Sequence, residues 1–133
     1  MQKQNKQKIL LTTVTGLLLV LASPAEANAP LMSEKQKAFY LALENPKKYA
    51  QIAIKAYNWD KNQYVCLSQL WGKESAWNHK ADNPHSSAFG IAQMLKEKAK
   101  HPKPQIDNGL RYIKKRYDNP CTAWKKWQRQ KWY

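Results

Sequence analysis

The chain has 133 residues, with 23 Lys+Arg against 9 Asp+Glu and a formal charge of +14. That length permits one domain, or one domain with an appendage. A charge this large is a solvated face, an attraction for polyanionic partners, or both.

Residues 1–8 (MQKQNKQK) carry three lysines and no acid, and residues 9–22 (ILLTTVTGLLLVLA) are nearly free of polar groups. SPAEANA follows, with small residues at cleavage spacing. Basic start, short apolar run and A-x-A end predict a secretory signal over 1–27, cut after Ala27, with a cut after Ala29 as the second choice. The alternative is a membrane anchor, but a spanning helix needs about 20 apolar residues and this run is shorter. Loss of three lysines and Glu26 takes the formal charge from +14 to +12. An exported protein, secreted or periplasmic, meets polyanionic cell envelope rather than nucleic acid, and after cleavage has no stable membrane insertion.

The remainder reads as helical, in two parts: N-terminal helices over 28–59 and a core over 60–133. Ser33 is a good N-cap for a helix over 33–43. Asn45-Pro46 starts a second helix, because Asn caps and Pro fits the first turn. Tyr49, Ile52, Ala53 and Ala56 follow at helical spacing. Asp60 with Gln63 three residues later resembles a capping box and opens a third helix. Residues 78–89 (NHKADNPHSSAF) are turn formers and predict a loop. A short helix is expected within 90–99, then a break at HPKP (101–104). From Gln105, residues Ile106, Leu110, Ile113 and Tyr117 mark an amphipathic helix with a basic outer face. Asn119-Pro120 opens a last helix carrying Ala123, Trp124 and Trp127. No strand alternation or repeat is visible. The expected fold is mostly α and single-domain.

Cys66 and Cys121 are the two cysteines. In an exported small domain an even pair reads as a disulfide. The alternative is a buried free thiol and an unrelated second one. His79, His85 and His101 are scattered without ligand spacing, so no metal and no cofactor is expected.

The third helix carries an unusual residue. Cys66, Leu70 and Glu74 stand at i, i+4 and i+8, which puts Glu74 on the apolar side near the helix end. Burial disfavours the charged form of a carboxyl, and the negative end of the helix dipole acts in the same direction. A raised pKa suits a general acid. The alternative is that Glu74 turns outward and pairs with Lys73 or Lys80.

Glu74-Ser75-Ala76-Trp77-Asn78, a polar loop, and Gly90-Ile91-Ala92-Gln93 resemble the soluble lytic transglycosylase domain of the lysozyme-like superfamily. Gln105 to Ile113, Arg116-Tyr117 and Ala123-Trp124 extend the resemblance over residues 60–127, closest to small secreted members with two cysteines. It implies a lysozyme-like helical fold of the goose-type or transglycosylase kind. The implied partner is the glycan strand of peptidoglycan, cut by a monomer. Glu74 would be the acid that protonates the bond between N-acetylmuramic acid and N-acetylglucosamine. It would then be the base for a C6 hydroxyl that closes a 1,6-anhydro ring. The resemblance also implies sugar contacts. Gln93 would lie beside the acid, Gly90 would allow close backbone approach, and Ser75 would orient the Glu74 turn. Asn83, Ser86 and Ser87 would come from the loop, with Tyr112 and Trp124 as an aromatic wall. For each a structural role is the alternative.

One departure stands out. Larger members carry an A-Y-N-A-G segment where this chain reads CTAWKKW, with Trp124 in place of the tyrosine. Three further readings stay open. Asp82 could position a water and make a lysozyme-type hydrolase. The chain could be a non-catalytic envelope binder. The run WKKWQRQKWY (124–133) could be a basic, Trp-rich envelope-binding edge, or a helix with a basic exposed side.

Overall fold

The computed structural model describes residues 31–133. The secretory signal expected over 1–27 lies outside the described residues. Local capping starts most of the helices. Helix α1 (Glu34–Glu44) opens on a complete capping box, with Ser33 and Gln36 each satisfying a backbone N–H of the other. Helix α2 (Pro46–Ala53) is capped by Asn45, whose side chain accepts from the Lys48 N–H, with Pro46 in the first turn. A single tight turn, Ile54–Tyr57, leads through left-handed Asn58 into α3 (Lys61–Ser75), where Asp60 accepts from the Gln63 N–H. Helix α5 (Pro120–Gln130) repeats the Asn-Pro start, with Asn119 accepting from Thr122. On α2 the inward face is Tyr49, Ala50 and the following Ile54, whereas Ile52 points outward, so the expected register is corrected by part of a turn.

Helix α4 (Pro102–Tyr117) starts earlier than the HPKP break suggested, because both prolines lie in its first turn. A helix's first N–H groups have no intrahelical partner, so proline costs nothing there. The predicted helix within 90–99 does not form. Strands β1 (Ala88–Phe89) and β2 (Met94–Leu95) pair there as an antiparallel hairpin, Ala88 opposite Leu95 and Phe89 opposite Met94. Gln93 and Lys96 have positive φ (47° and 59°), which interrupts helix and turns the chain twice.

The core is built where α3, α4 and α5 meet. Leu67, Leu70 and Trp71 of α3, Ile106, Leu110 and Ile113 of α4, and Ala123 of α5 are fully or almost fully buried. Gly109 sets the closeness of α4 to α3. A Cβ there would lie 2.7 Å from Cζ2 of Trp71 and 2.8 Å from Cβ of Ala92. Helix α1 packs on α2 and α4, and residues 32–133 form one compact unit.

Cys66 of α3 and Cys121 of α5 are bonded, with Cα atoms 4.9 Å apart. The bridge ties together the two helices that pack most extensively on each other. Among the described residues no helix is long and apolar enough to cross a membrane.

A crosslink between residues 55 apart mainly restricts the unfolded chain. Replacing both cysteines by alanine is expected to lower the unfolding free energy by about 3–4 kcal/mol, read from urea transitions followed by circular dichroism. A loss under about 1 kcal/mol would show that packing alone holds α3 against α5.

Candidate active site

Helix α3 ends one residue after Glu74, and the manner of its ending fixes the site. Ala76 and Trp77 both adopt left-handed backbone, with φ of 52° and 64°. Their N–H groups return to the carbonyls of Gly72 and Trp71. The Trp77 side chain is therefore thrown back beneath its own helix. Its indole donates to the Ser68 carbonyl at 3.2 Å and meets Trp71 edge-on. Ser75 turns the other way and donates from Oγ to the Ile91 carbonyl at 2.7 Å. So Ser75 fastens the end of α3 to the hairpin, and its hydroxyl is committed to the backbone.

The loop after α3 is held by backbone and amide contacts. The Gly90 N–H donates to the Ala81 carbonyl at 2.8 Å, and Asn83 Oδ1 accepts from the His85 N–H. Gly90 has φ of +78°, and a Cβ there would lie 2.4 Å from the side chain of Gln105. Its glycine requirement comes from inside the protein. Gln93 donates from Nε2 to the carbonyls of Ala81 and Gly90 at 3.1 and 2.9 Å, bracing the loop while lining a cavity.

That cavity, about 300 Å³, is walled by Glu74 from α3, Asn83 and Ala88 from the loop and β1, and Gln93 and Leu95 from the hairpin. The remaining wall is Lys131, Trp132 and Tyr133. Glu74 is the one acidic side chain among these lining residues. It makes no ion pair with Lys73 or Lys80 among the described residues. Half-buried, its carboxyl is raised from the ordinary 4.5 to about 7, chiefly by burial. The indole of Trp127 opposes part of the rise by favouring the charged form.

The structure thus brings Glu74, Asn83 and Gln93 together around one space. Gly90 and Ser75 support it from behind. Ser86 and Ser87 are exposed, and neither lines this cavity. Asp82 is exposed, pairs through its backbone with Phe89, and does not line the cavity. Trp124 stacks on Trp127 at 5.3 Å at the margin of the core, away from the lining. Tyr112 borders two neighbouring depressions instead. Among the described residues no group of three or more His, Cys, Asp or Glu is arranged to hold a metal.

The residues that close the space belong to the basic, Trp-rich run 124–133, which the sequence marks as an edge or a basic helix and not as a cavity wall. Lys131 takes a left-handed conformation (φ 60°), ending α5 and reversing the chain toward α3. The Tyr133 hydroxyl then accepts from the Trp71 indole at 2.9 Å and donates to the Ala92 carbonyl at 2.8 Å. Tyr112 donates to the Tyr133 carbonyl at 3.3 Å. Burial drives the Tyr133 phenol well above its usual pKa, and the charge of Glu74 adds to the rise. Trp132 lies flat under Lys126, whose Nζ is 3.6 Å from the ring centre. Gln105 was legible only as part of a motif. Its buried amide accepts from the Ile91 N–H and donates to the carbonyls of His79 and Ala99. A polar residue on the inward face of an otherwise apolar α4 stripe is the signal that marks it.

No protein-family model, curated protein or solved structure matches this chain.

Two measurements test this geometry. Tyr133→Phe strands a buried indole N–H and a carbonyl, so it should cost about 1–3 kcal/mol in a urea transition. No loss would mean that residues 131–133 do not hold this position in solution. Glu74 binds its proton more tightly folded than unfolded, so the folded state is favoured while the group is protonated. Stability should therefore fall as pH rises from about 4.5 through about 7. Glu74→Gln should flatten that slope, and an unchanged slope would assign it to another group.

Proposed function

We propose that this chain is a peptidoglycan lytic transglycosylase with a lysozyme-like helical fold, and that Glu74 is its one acid–base group. The observation that carries the reading is a lone acidic side chain, raised to about 7, in a cavity whose other lining side chains bear no carboxyl. Most glycosidases use two carboxylates that flank the bond. A single carboxyl suffices when the nucleophile belongs to the substrate. Protonated Glu74 gives its proton to the bridging oxygen as the C1–O bond breaks. The carboxylate then takes the proton from the C6 hydroxyl of the muramoyl unit as O6 bonds to C1. One proton leaves Glu74 and one returns, no water is consumed, and the product is a 1,6-anhydro end. Tethering of the C6 hydroxyl supplies the effective concentration that a second catalytic group would otherwise provide.

Several features support this reading. A pKa of about 7 leaves a useful fraction of Glu74 protonated near neutrality, and its carboxylate is basic enough to take the proton back. Asn83 and Gln93 place amides beside the acid, where sugar hydroxyls and acetamido groups require partners. The disulfide fits an oxidising compartment, secreted or periplasmic. The formal charge, +14 for the full chain and +12 without the expected signal, would concentrate the protein on polyanionic walls. Asp82 lies outside the cavity, and this favours the lyase over a water-dependent hydrolase.

Mass analysis of cell-wall digests is the direct test. The protein is expected to release anhydro-muropeptides, and Glu74→Gln should lower the rate by about 10²–10⁴-fold while remaining folded. The rate should decline as pH rises through about 7 and Glu74 loses its proton. Reducing ends would identify a hydrolase. Wall binding without soluble products would identify a binding module, and full activity in the glutamine variant would remove Glu74 from the chemistry.

A further inference from the structure

The space beside Glu74 does not end at Tyr133. A second depression of about 170 Å³ shares Gln93, Leu95 and Tyr133 with the first. A third, about 450 Å³, shares Met94, Leu95 and Tyr112 with the second. The three share lining residues in sequence, from Glu74 through Gln93, Leu95 and Tyr133 to Tyr112 on α4.

The chemistry of the lining changes along that run. At the Glu74 end the loop and hairpin contribute the amides of Asn83 and Gln93. At the far end the hairpin contributes Lys96 and Glu97, and α4 contributes Arg111 and Lys115. Asn108, Arg111, Tyr112 and Lys115 stand at i, i+3, i+4 and i+7, so one face of α4 borders the trough. The lone acid is already engaged. Glu97 accepts twice from Asn108, at 2.9 and 3.1 Å, and from the Ala99 N–H at 2.8 Å. Arg111 is oriented by donating a hydrogen bond to the side-chain Oδ1 of Asn108. Lys96, Arg111 and Lys115 form no ion pair among the described residues. The trough therefore presents three cations against one occupied carboxylate, beside the Tyr112 ring and the exposed Leu95 side chain.

We propose that this cationic trough binds the carboxylates of the peptide stem attached to the glycan strand that Glu74 cuts. The inference rests on the lyase reading, and it names a part of the substrate that the Glu74 cavity leaves unassigned. The sugar backbone of the strand is largely uncharged and calls for amides and aromatic faces. The stem hangs from the muramoyl unit and carries free carboxylates along an extended backbone. A trough that continues from the acid, with cations at its far end and apolar contacts between, suits that branch. Solvent-exposed ion pairs contribute modestly, so the trough sets a preference for stem-bearing strands.

The test compares initial rates on soluble glycan strands with their stems and on the same strands after amidase removal of the stems. Both substrates are first freed of phosphate-bearing wall polymers. The parent protein should prefer stem-bearing strands by about fivefold, the equivalent of two modest exposed ion pairs. Arg111→Gln/Lys115→Gln should abolish the preference, and Arg111→Lys/Lys115→Arg should retain it. Lys47→Gln/Lys48→Gln, which removes the same charge from the exposed side of α2, should also retain it. An equal preference in the Arg111/Lys115 glutamine variant, or an equal loss in the α2 control, would overturn the site. A preference seen only before phosphate removal would assign the anion to phosphate and overturn the stem.

Titration of Glu74→Gln with a synthetic stem tetrapeptide, followed by amide NMR, keeps this separate from the lyase reading. Shifts at Lys96, Arg111 and Lys115 are expected. Such shifts with no strand cleavage by the parent would sink the lyase reading and keep the peptide site. Cleavage with no such shifts would sink the peptide site alone.

Discussion

The candidate site depends on one buried amide. Gln105 reaches from α4 into the loop system and makes three hydrogen bonds there, at 2.9–3.0 Å, to residues 79, 91 and 99. These lie at the start of the loop, at the entry to the hairpin turn and just before α4. One side chain thus satisfies a segment with too little regular structure to satisfy itself, and a buried polar group left unpaired is costly. Gly90 is glycine because the Gln105 amide occupies the space a Cβ would need. Once Ile91 is held, its carbonyl can receive the Ser75 hydroxyl, and the end of α3 is locked against the hairpin. Glu74 is one residue from that lock.

A second set of contacts closes the cavity from the opposite side. The Trp71 indole, the Tyr133 hydroxyl and the Ala92 carbonyl form a short chain of hydrogen bonds from the core of α3 to the hairpin. Trp71 is fully buried, so its N–H needs a partner that the protein supplies. Tyr133 meets that need, and the same contact brings Lys131 and Trp132 to the cavity rim. The wall opposite the loop is therefore a consequence of satisfying a core tryptophan.

These two frames explain why Glu74 is raised in a chain with so many cations. Salt screens exposed charges from one another beyond about 10 Å at ordinary ionic strength. None of the described lysines or arginines forms an ion pair with Glu74. What reaches the carboxyl is loss of water, offset in part by the Trp127 indole. Charge is instead placed along the rim, at Lys131 beside the acid and at Lys96, Arg111 and Lys115 at the far end of the groove.

The sequence by itself determined the helices and the position of Glu74 on one of them. Ser33, Asn45-Pro46, Asp60 and Asn119-Pro120 mark helix starts because capping is a contact over three residues, and the i, i+4, i+8 spacing of Cys66, Leu70 and Glu74 is geometry internal to one helix. The disulfide was legible from the cysteine count, and Gln93 and Asn83 from the motif and the loop. Tertiary structure alone decided the hairpin over 88–95, the outward position of Ser87, the stacking of Trp124 on Trp127 at the core margin, and the closing wall from Lys131 to Tyr133. Left-handed backbone at Gln93, Lys96 and Lys131 is unfavourable for these residues taken alone, so no local pattern announces it. It is stabilised by partners far along the chain, Ala81 for Gln93 and Trp71 for Tyr133, separated by 12 and 62 residues.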